Sequence, residues 1–221
     1  MALSPAAAAA WQRRWRLRLR LCPLPAPPRL IAGVDAAYQE KEARVFGAAS
    51  LLTWPDLTPV ETAGVSGPVP YPYIPGLLSL REAPILAAAV RRLRQRPDVV
   101  LVDGQGLAHP RHLGLASHLG LLLQLPTIGC AKSRLWGHYG ELGEEKGSVC
   151  PLLADGVEIG WVLRSRRRCR PLFISPGHLI TVAESLEVVQ GCLGAFRLPL
   201  PLRAAHLWSK QLRRQAGVAQ P

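Results

Sequence analysis

Val99-Val100-Leu101-Val102-Asp103-Gly104-Gln105-Gly106 sets four apolar residues ahead of an acid and a glycine-rich turn. A short apolar run closed off by Pro97 on one side and Gly104 on the other reads as a strand buried on both faces, the kind found inside a parallel sheet. The acid ends that strand, and the glycines after it let backbone come close to a ligand. Asp103 is therefore a stronger candidate for chemistry than for a structural turn.

Upstream, Leu30-Ile31-Ala32-Gly33-Val34 repeats the pattern, a mostly buried strand ending at Asp35. For Asp35 alone a turn or cap role is about as good an explanation as a ligand role. Arg44 to Trp54 reads as a second strand and Val60 to Val65 as a third, forming a meander. Pro70-Tyr71-Pro72-Tyr73-Ile74-Pro75-Gly76 is a stiff loop, since each proline fixes φ and removes a donor. The spacing then predicts a helix over Ser79 to Gln95, with Glu82 in its first turn, where the helix dipole by itself favours a carboxylate.

Downstream, a helix is expected over Arg111 to Leu123 and a strand over Thr127 to Cys130. Lys132 to Gly147 is loop-like, and two strands follow at Glu158 to Leu163 and Pro171 to Ser175 around the basic turn Arg164 to Arg170. A last amphipathic helix covers Thr181 to Leu193. Three strands, helix, strand, helix, strand describes an α/β fold, a ribonuclease H-like mixed sheet flanked by helices. The expected organisation is a basic helix and Pro-rich connection over 1–29, one domain over 30–195 and a basic extension over 196–221. In the first of these, Trp11, Trp15 and Leu19 share one helix face and arginines fill the rest. Pro23, Pro25, Pro27 and Pro28 then impose an extended chain.

The chain has 221 residues, and 27 Lys plus Arg against 15 Asp plus Glu give a net charge of +12, which favours a polyanionic partner, nucleic acid above all. Discounting the cluster Arg13, Arg14, Arg16, Arg18 and Arg20 still leaves a positive excess. The five cysteines are scattered, without metal-ligand spacing, so neither structural zinc nor a disulfide framework is expected. No apolar run reaches the ~18 residues of a membrane span, and the N-terminal alanines precede the arginines, the reverse of a secretory signal.

If the strands ending in Asp35 and Asp103 are parallel neighbours, both acids share one sheet edge, and the helix bearing Glu82 leans over it. Three converging carboxylates repel one another unless a cation joins them, and a hard divalent ion there supplies a Lewis acid for attack on phosphate. Lys132, just past a strand end, is placed to neutralise phosphate charge. His178, in Ile174-Ser175-Pro176-Gly177-His178, and His109 are further candidates, with a helix cap or surface position as the plainer reading of His178.

Taken in order, Ala32-Gly33-Val34-Asp35, Pro72-Tyr73-Ile74-Pro75-Gly76-Leu77-Leu78-Ser79-Leu80-Arg81-Glu82, Val102-Asp103-Gly104-Gln105-Gly106, His109-Pro110-Arg111, Ile128-Gly129-Cys130-Ala131-Lys132-Ser133 and Ser175-Pro176-Gly177-His178 resemble the endonuclease V family. The resemblance covers about residues 30 to 190 and departs at Ser79-Leu80, where relatives carry a bulkier aromatic-containing stretch, and at Cys130, where an apolar residue is usual.

The resemblance implies a DNA repair endonuclease that recognises deoxyinosine, the product of adenine deamination, and hydrolyses the second phosphodiester bond 3′ to the lesion. Mg²⁺ is the implied cofactor, with Mn²⁺ as its alternative, and Asp35, Glu82 and Asp103 match the metal ligands. Lys132 and His178 match further active-site positions, and Tyr73 falls in the wedge that fills the gap left by an extruded base. Gly76, Leu78, Gly106, His109, Gly114 and Leu135 match the hypoxanthine pocket. The expected partner is inosine-containing DNA, with RNA as the alternative. The expected state is a monomer with no membrane association, in the cytoplasm. A ribonuclease H-like nuclease with another substrate and a noncatalytic inosine-binding scaffold are the rival readings.

Overall fold

The computed structural model describes residues 3–218. Its centre is an eight-stranded sheet in the order β3-β2-β1-β4-β5-β8-β7-β6, built from β1 (Leu30–Gln39), β2 (Arg44–Thr53), β3 (Pro59–Pro68), β4 (Val99–Val102), β5 (Thr127–Ala131), β6 (Val149–Ala154), β7 (Val157–Leu163) and β8 (Leu172–His178). The pairs β1–β4 and β4–β5 are parallel, and the other pairings are antiparallel. The central parallel strands are the continuous apolar runs, buried on both faces as the sequence suggests.

Alternation along those strands feeds two cores. Ala32, Val34, Val100 and Val102 pack under α2 (Leu78–Arg91) and α3 (Leu115–Leu123). Ile31, Val99, Leu101, Ile128 and Cys130 pack on the opposite face, which α4 (Val182–Gly191) and α5 (Leu200–Val218) cover. A smaller cluster under the β6–β7 hairpin takes in Ala108, Ala131 and Phe173. Helix α1 (Pro5–Trp15), capped by Ser4, rests Ala8 on Tyr71 and Leu77.

Several elements differ from expectation. β1 does not stop at Asp35: only its parallel pairing with β4 ends at Val34–Val102, while its antiparallel pairing with β2 continues to Gln39. α3 starts at Leu115 rather than Arg111, because residues 111 to 114 form a turn with His112 at φ 52°. β6 was not anticipated, since Pro151 interrupts it; the strand is at the sheet edge, where a proline is tolerated. β8 runs three residues beyond Ser175, to His178.

The largest addition is α5, in a stretch expected only as a basic extension. Leu202, Ala205 and Ser209 are its buried face, and it lies against β1 and β2. Gly33 makes this approach possible: a Cβ there would sit 2.1 Å from the carbonyl carbon and oxygen of Pro201, closer than any side chain permits.

Candidate active site

The register of the parallel pair sets up the site. Val34 faces Val102 across β1 and β4, so Asp35, within β1, and Asp103, just past the end of β4, stand at the same level. Strand alternation puts Asp35 with Ile31 and Gly33, on the α5 side of the sheet. There the Asp35 Oδ2 accepts a hydrogen bond from Ser209 Oγ at 2.7 Å and lies 3.1 Å from His206 Nδ1. Asp103 is ion-paired with Lys132, the residue after β5. Arg197 holds the Lys132 carbonyl at 2.7 Å, which fixes the backbone that carries the ammonium group.

Glu82 arrives from α2, on the other side of the sheet, against β1. Its Oε1 accepts from the Tyr38 hydroxyl at 2.9 Å, and the Arg81 guanidinium lies 4.3 Å from the centre of the Tyr38 ring. Glu82 keeps part of its surface open, yet protein surrounds it on most sides. That loss of solvent pushes its carboxyl up to about 7; the Tyr38 hydrogen bond works against the rise, and the charges of Asp35 and Asp103 add to it. Burial also raises Asp103, against the pull of Lys132. Glu82 therefore senses both aspartates, as expected if the three share one site.

His178 is not part of this group. It pairs with Thr127 at the start of β5, whereas Lys132 follows the end of that strand, so about 16 Å of extended chain separates them. Its Nδ1 accepts from the Arg20 backbone N–H at 3.3 Å, and its Nε2 is buried with no hydrogen-bond partner among the described residues. What the Ser175-Pro176-Gly177-His178 segment does is support the loop after β4. Ser175 Oγ accepts from the Gly106 N–H at 2.9 Å, and the Pro176 carbonyl accepts from the Leu107 N–H at 2.8 Å. The histidine that does reach the carboxylates is His206, on α5, which the sequence pattern passed over along with Ser209 and Tyr38.

A cavity of about 300 Å³ adjoins the acids, and Asp103 and Lys132 are in its wall. The rest of the lining includes Tyr73, Gly76, Leu78, His109, Gly114 and Leu135, together with Gln12 from α1. Gly106 stands behind the wall, not in it: a Cβ there would meet the Pro176 carbonyl oxygen at 2.3 Å, and its own carbonyl accepts from the Gly114 N–H. Tyr73 is 68% exposed, projecting from its proline-flanked loop. His109 is buried; its Nδ1 accepts from the Arg111 N–H at 3.1 Å, which leaves Nε2 as the protonated nitrogen, donating to the Gly76 carbonyl at 3.0 Å. Burial and the Arg111 charge lower it to about 4, so the ring is neutral near pH 7.

The family model for endonuclease V matches residues 13–207. The chain belongs to the endonuclease V family. It is 49% identical to endonuclease V of Geotalea uraniireducens over 203 residues, 91% of this chain and 86% of the relative. With that of Dehalococcoides mccartyi it shares 45% over 210 residues, 95% and 94% of the two chains. Endonuclease V from Streptomyces avermitilis superposes with a TM-score of 0.91 at 36% identity, over 98% of this chain and 96% of that one. A Ciona intestinalis endonuclease V solved with DNA containing an inosine has a TM-score of 0.85 at 21% identity, over 97% and 100% of the chains, a likeness of fold.

Members of the endonuclease V family are metal-dependent nucleases that hydrolyse phosphodiester bonds. Among the described residues no three His, Cys, Asp or Glu side chains stand close enough together to hold a metal ion in this conformation. Each acid is instead turned to a protein partner: Asp35 to Ser209 and His206, Glu82 to Tyr38, Asp103 to Lys132. The donor set still suits a hard divalent cation, which takes carboxylate oxygens and relieves the repulsion that Glu82 feels from the other two.

Proposed function

We propose that this member of the endonuclease V family nicks inosine-containing DNA at the second phosphodiester bond on the 3′ side of the lesion, with Mg²⁺ or Mn²⁺ held by Asp35, Glu82 and Asp103. The observation that carries the reading is that Asp103 and Lys132 belong both to the acidic group and to the wall of the adjoining cavity. A base held in that cavity keeps its own strand beside the carboxylates.

The cavity is suited to a 6-oxopurine. Leu78 and Ser79 open α2, whose N-cap Leu77 offers no side-chain acceptor, so first-turn N–H groups remain for a ligand's carbonyl oxygen. Gly114 opens α3 without a side-chain cap as well, but there the Gln105 carbonyl already accepts from the Ala116 N–H. Inosine differs from adenosine by a 6-oxo group and a protonated N1, so backbone donors for O6 and a carbonyl acceptor for N1–H separate the two. Tyr73, exposed between prolines, supplies a stiff π surface for the step that the extruded base vacates.

When bound, the divalent ion supplies Lewis-acid stabilisation of charge developing on the phosphate. Lys132 adds a positive charge from the cavity side, and Tyr38 and Ser209 orient Glu82 and Asp35 by donating to one oxygen of each. His206 is placed to hold a proton beside Asp35. A cytoplasmic location fits a nuclease of this kind.

The test is cleavage of a labelled duplex bearing one deoxyinosine, against an adenine control, with Mg²⁺ and then with EDTA; an inosine-containing RNA run in parallel reads the sugar preference. A metal-dependent nick one nucleotide beyond the lesion's own 3′ bond is expected. Binding without a nick would favour a scaffold, and equal cleavage of both duplexes would remove the inosine assignment.

A further inference from the structure

Gln12 is a polar side chain with no exposed surface, on a helix whose neighbouring residues Arg13 and Arg14 are exposed. A buried amide needs partners for both its donors and its acceptor. Gln12 finds them on both walls of the base cavity. Its Nε2 donates to the Gly76 carbonyl at 3.1 Å and to the Leu113 carbonyl at 3.2 Å, with Ser79 Oγ at 3.5 Å. Its Oε1 accepts from Arg111 Nε at 2.5 Å. Gly76 and Ser79 belong to the loop and first turn of α2, while Leu113 precedes Gly114 at the opening of α3. One amide therefore spans the gap between the two helix starts that form the cavity.

The Gly76 carbonyl is the focus of this network. Besides Gln12 it accepts from His109 Nε2 at 3.0 Å and from Arg111 Nη2 at 2.6 Å. Gly76 itself is at φ +77°, a backbone conformation that only glycine adopts readily. Three donors on one carbonyl fix the orientation of the peptide plane between Gly76 and Leu77, and with it the entry to α2. Ser79 is small enough to leave the Gln12 amide room beside it.

Helix α1 does not depend on that amide for its place. The rings of Trp11 and Trp15 stand 4.8 and 5.7 Å from the ring of His118, and Ala8 is buried against Tyr71 and Leu77. Loss of the Gln12 hydrogen bonds thus leaves the helix docked and frees only the cavity walls.

We infer that Gln12 is a specificity-determining positioning residue, an amide strut from α1 that sets the spacing of the two walls around the base. This rests on the reading of the cavity as the inosine site. Gln12 acts through Gly76 and Leu113, so its loss changes how selectively a base is held, not the rate of phosphodiester cleavage once it is held.

The experiment compares the full-length protein with Gln12→Met, which keeps the shape without the amide, and with Arg111→Met, which breaks the strut from a less buried position. KM and kcat are measured on the deoxyinosine duplex, the inosine-to-adenine ratio of kcat/KM is taken for each, and the thermal midpoint is recorded. Gln12→Met is expected to raise KM about tenfold and lower the ratio about tenfold, the loss of one or two well-made hydrogen bonds, with kcat within about twofold. Arg111→Met moves the same quantities the same way by less. Gln12→Glu keeps the Arg111 contact but sets carboxylate oxygens against two carbonyls, so it is expected to be worse than Gln12→Met. If KM and the ratio are unchanged in a folded Gln12→Met, the strut is structural only and the inference is overturned; should that variant not fold, Arg111→Met decides by the same criterion. A wild-type protein without inosine preference would instead overturn the functional reading.

Discussion

Glu82 carries two opposed demands, burial against protein and a charge suited to a cation. Its carboxyl, pushed up to about 7, holds a proton more tightly in the folded protein than in the unfolded chain. The stability this contributes is complete below the ordinary carboxylate range and is lost as pH rises through about 7. Without divalent ions, Glu82→Gln is therefore expected to melt above the wild type at pH 8, with the gap closing near pH 4.5. Under the proposed ligand set the order at pH 8 reverses in Mg²⁺, because the wild type gains more from the ion than a variant lacking one of three carboxylates. Thermal unfolding in chelator and in Mg²⁺ checks both signs, and a variant that melts lower in chelator at pH 8 would refute the burial account. Asp103→Asn keeps the size of the side chain but removes the charge that Lys132 and a cation share; a fall in kcat of about 10²- to 10³-fold is expected, with inosine binding retained. At this scale the place of Asp103 was legible, because an apolar strand ends just before it and a glycine turn follows, whereas Asp35 turned out to lie within β1 and Glu82 within α2. For His178 the Pro176-Gly177 pair hid a strand, and only the register of β8 reveals that it lies beside Thr127, away from Lys132.

At the scale of elements, β1 and α5 complete the site together. The sheet centre was readable from the apolar runs, since only a buried strand needs four consecutive apolar residues. α5 was not, because Arg203, Lys210, Arg213 and Arg214 make the stretch read as a basic extension, although Leu202, Ala205 and Ser209 recur in it at helical spacing. Its packing on Gly33 is what brings His206 to Asp35. Gly33→Ala puts a methyl into the Pro201 carbonyl and forces α5 away from β1. Overpacking of this kind costs about 1–3 kcal/mol. Because the displaced element carries His206 and Ser209, activity is expected to fall further than stability accounts for. Denaturant unfolding and kcat measured on the same preparation separate the two effects, and activity that follows only the folded fraction would show α5 to be a passive cover. His206→Ala, which leaves the packing intact, is expected to lose about 10- to 100-fold in activity or metal affinity, the usual effect of removing a group that orients a ligand.

For the molecule as a whole, the net charge of +12 pointed to nucleic acid but not to where it binds. The fold shows which of the charges stand near the cavity proposed for the base. Among the described residues the ion pairs are Lys132–Asp103, Arg167–Glu145 and His206–Asp35, so none of the exposed Arg13, Arg14, Arg16, Arg18 and Arg20 is neutralised by a carboxylate. Arg13 is close enough to Arg111, beside the cavity, for its charge to lower the proton affinity of that guanidinium, after burial. The basic helix therefore flanks the cavity instead of trailing away from it, and under the proposed function a strand with its lesion there would pass these arginines. Each phosphate neutralised on duplex DNA contributes about −0.9 to the slope of log K against log salt. Replacing Arg13, Arg14 and Arg16 together with Gln is expected to flatten that slope by up to about 2.7 units while leaving the inosine-to-adenine ratio unchanged, since phosphate contacts position the strand and do not read the base. Fluorescence anisotropy across a salt series gives the slope. A variant whose affinity and slope both match the wild type would mean that these arginines merely solvate the helix, and that the phosphates are held elsewhere, with the turn Arg164 to Arg170 as the next group to replace.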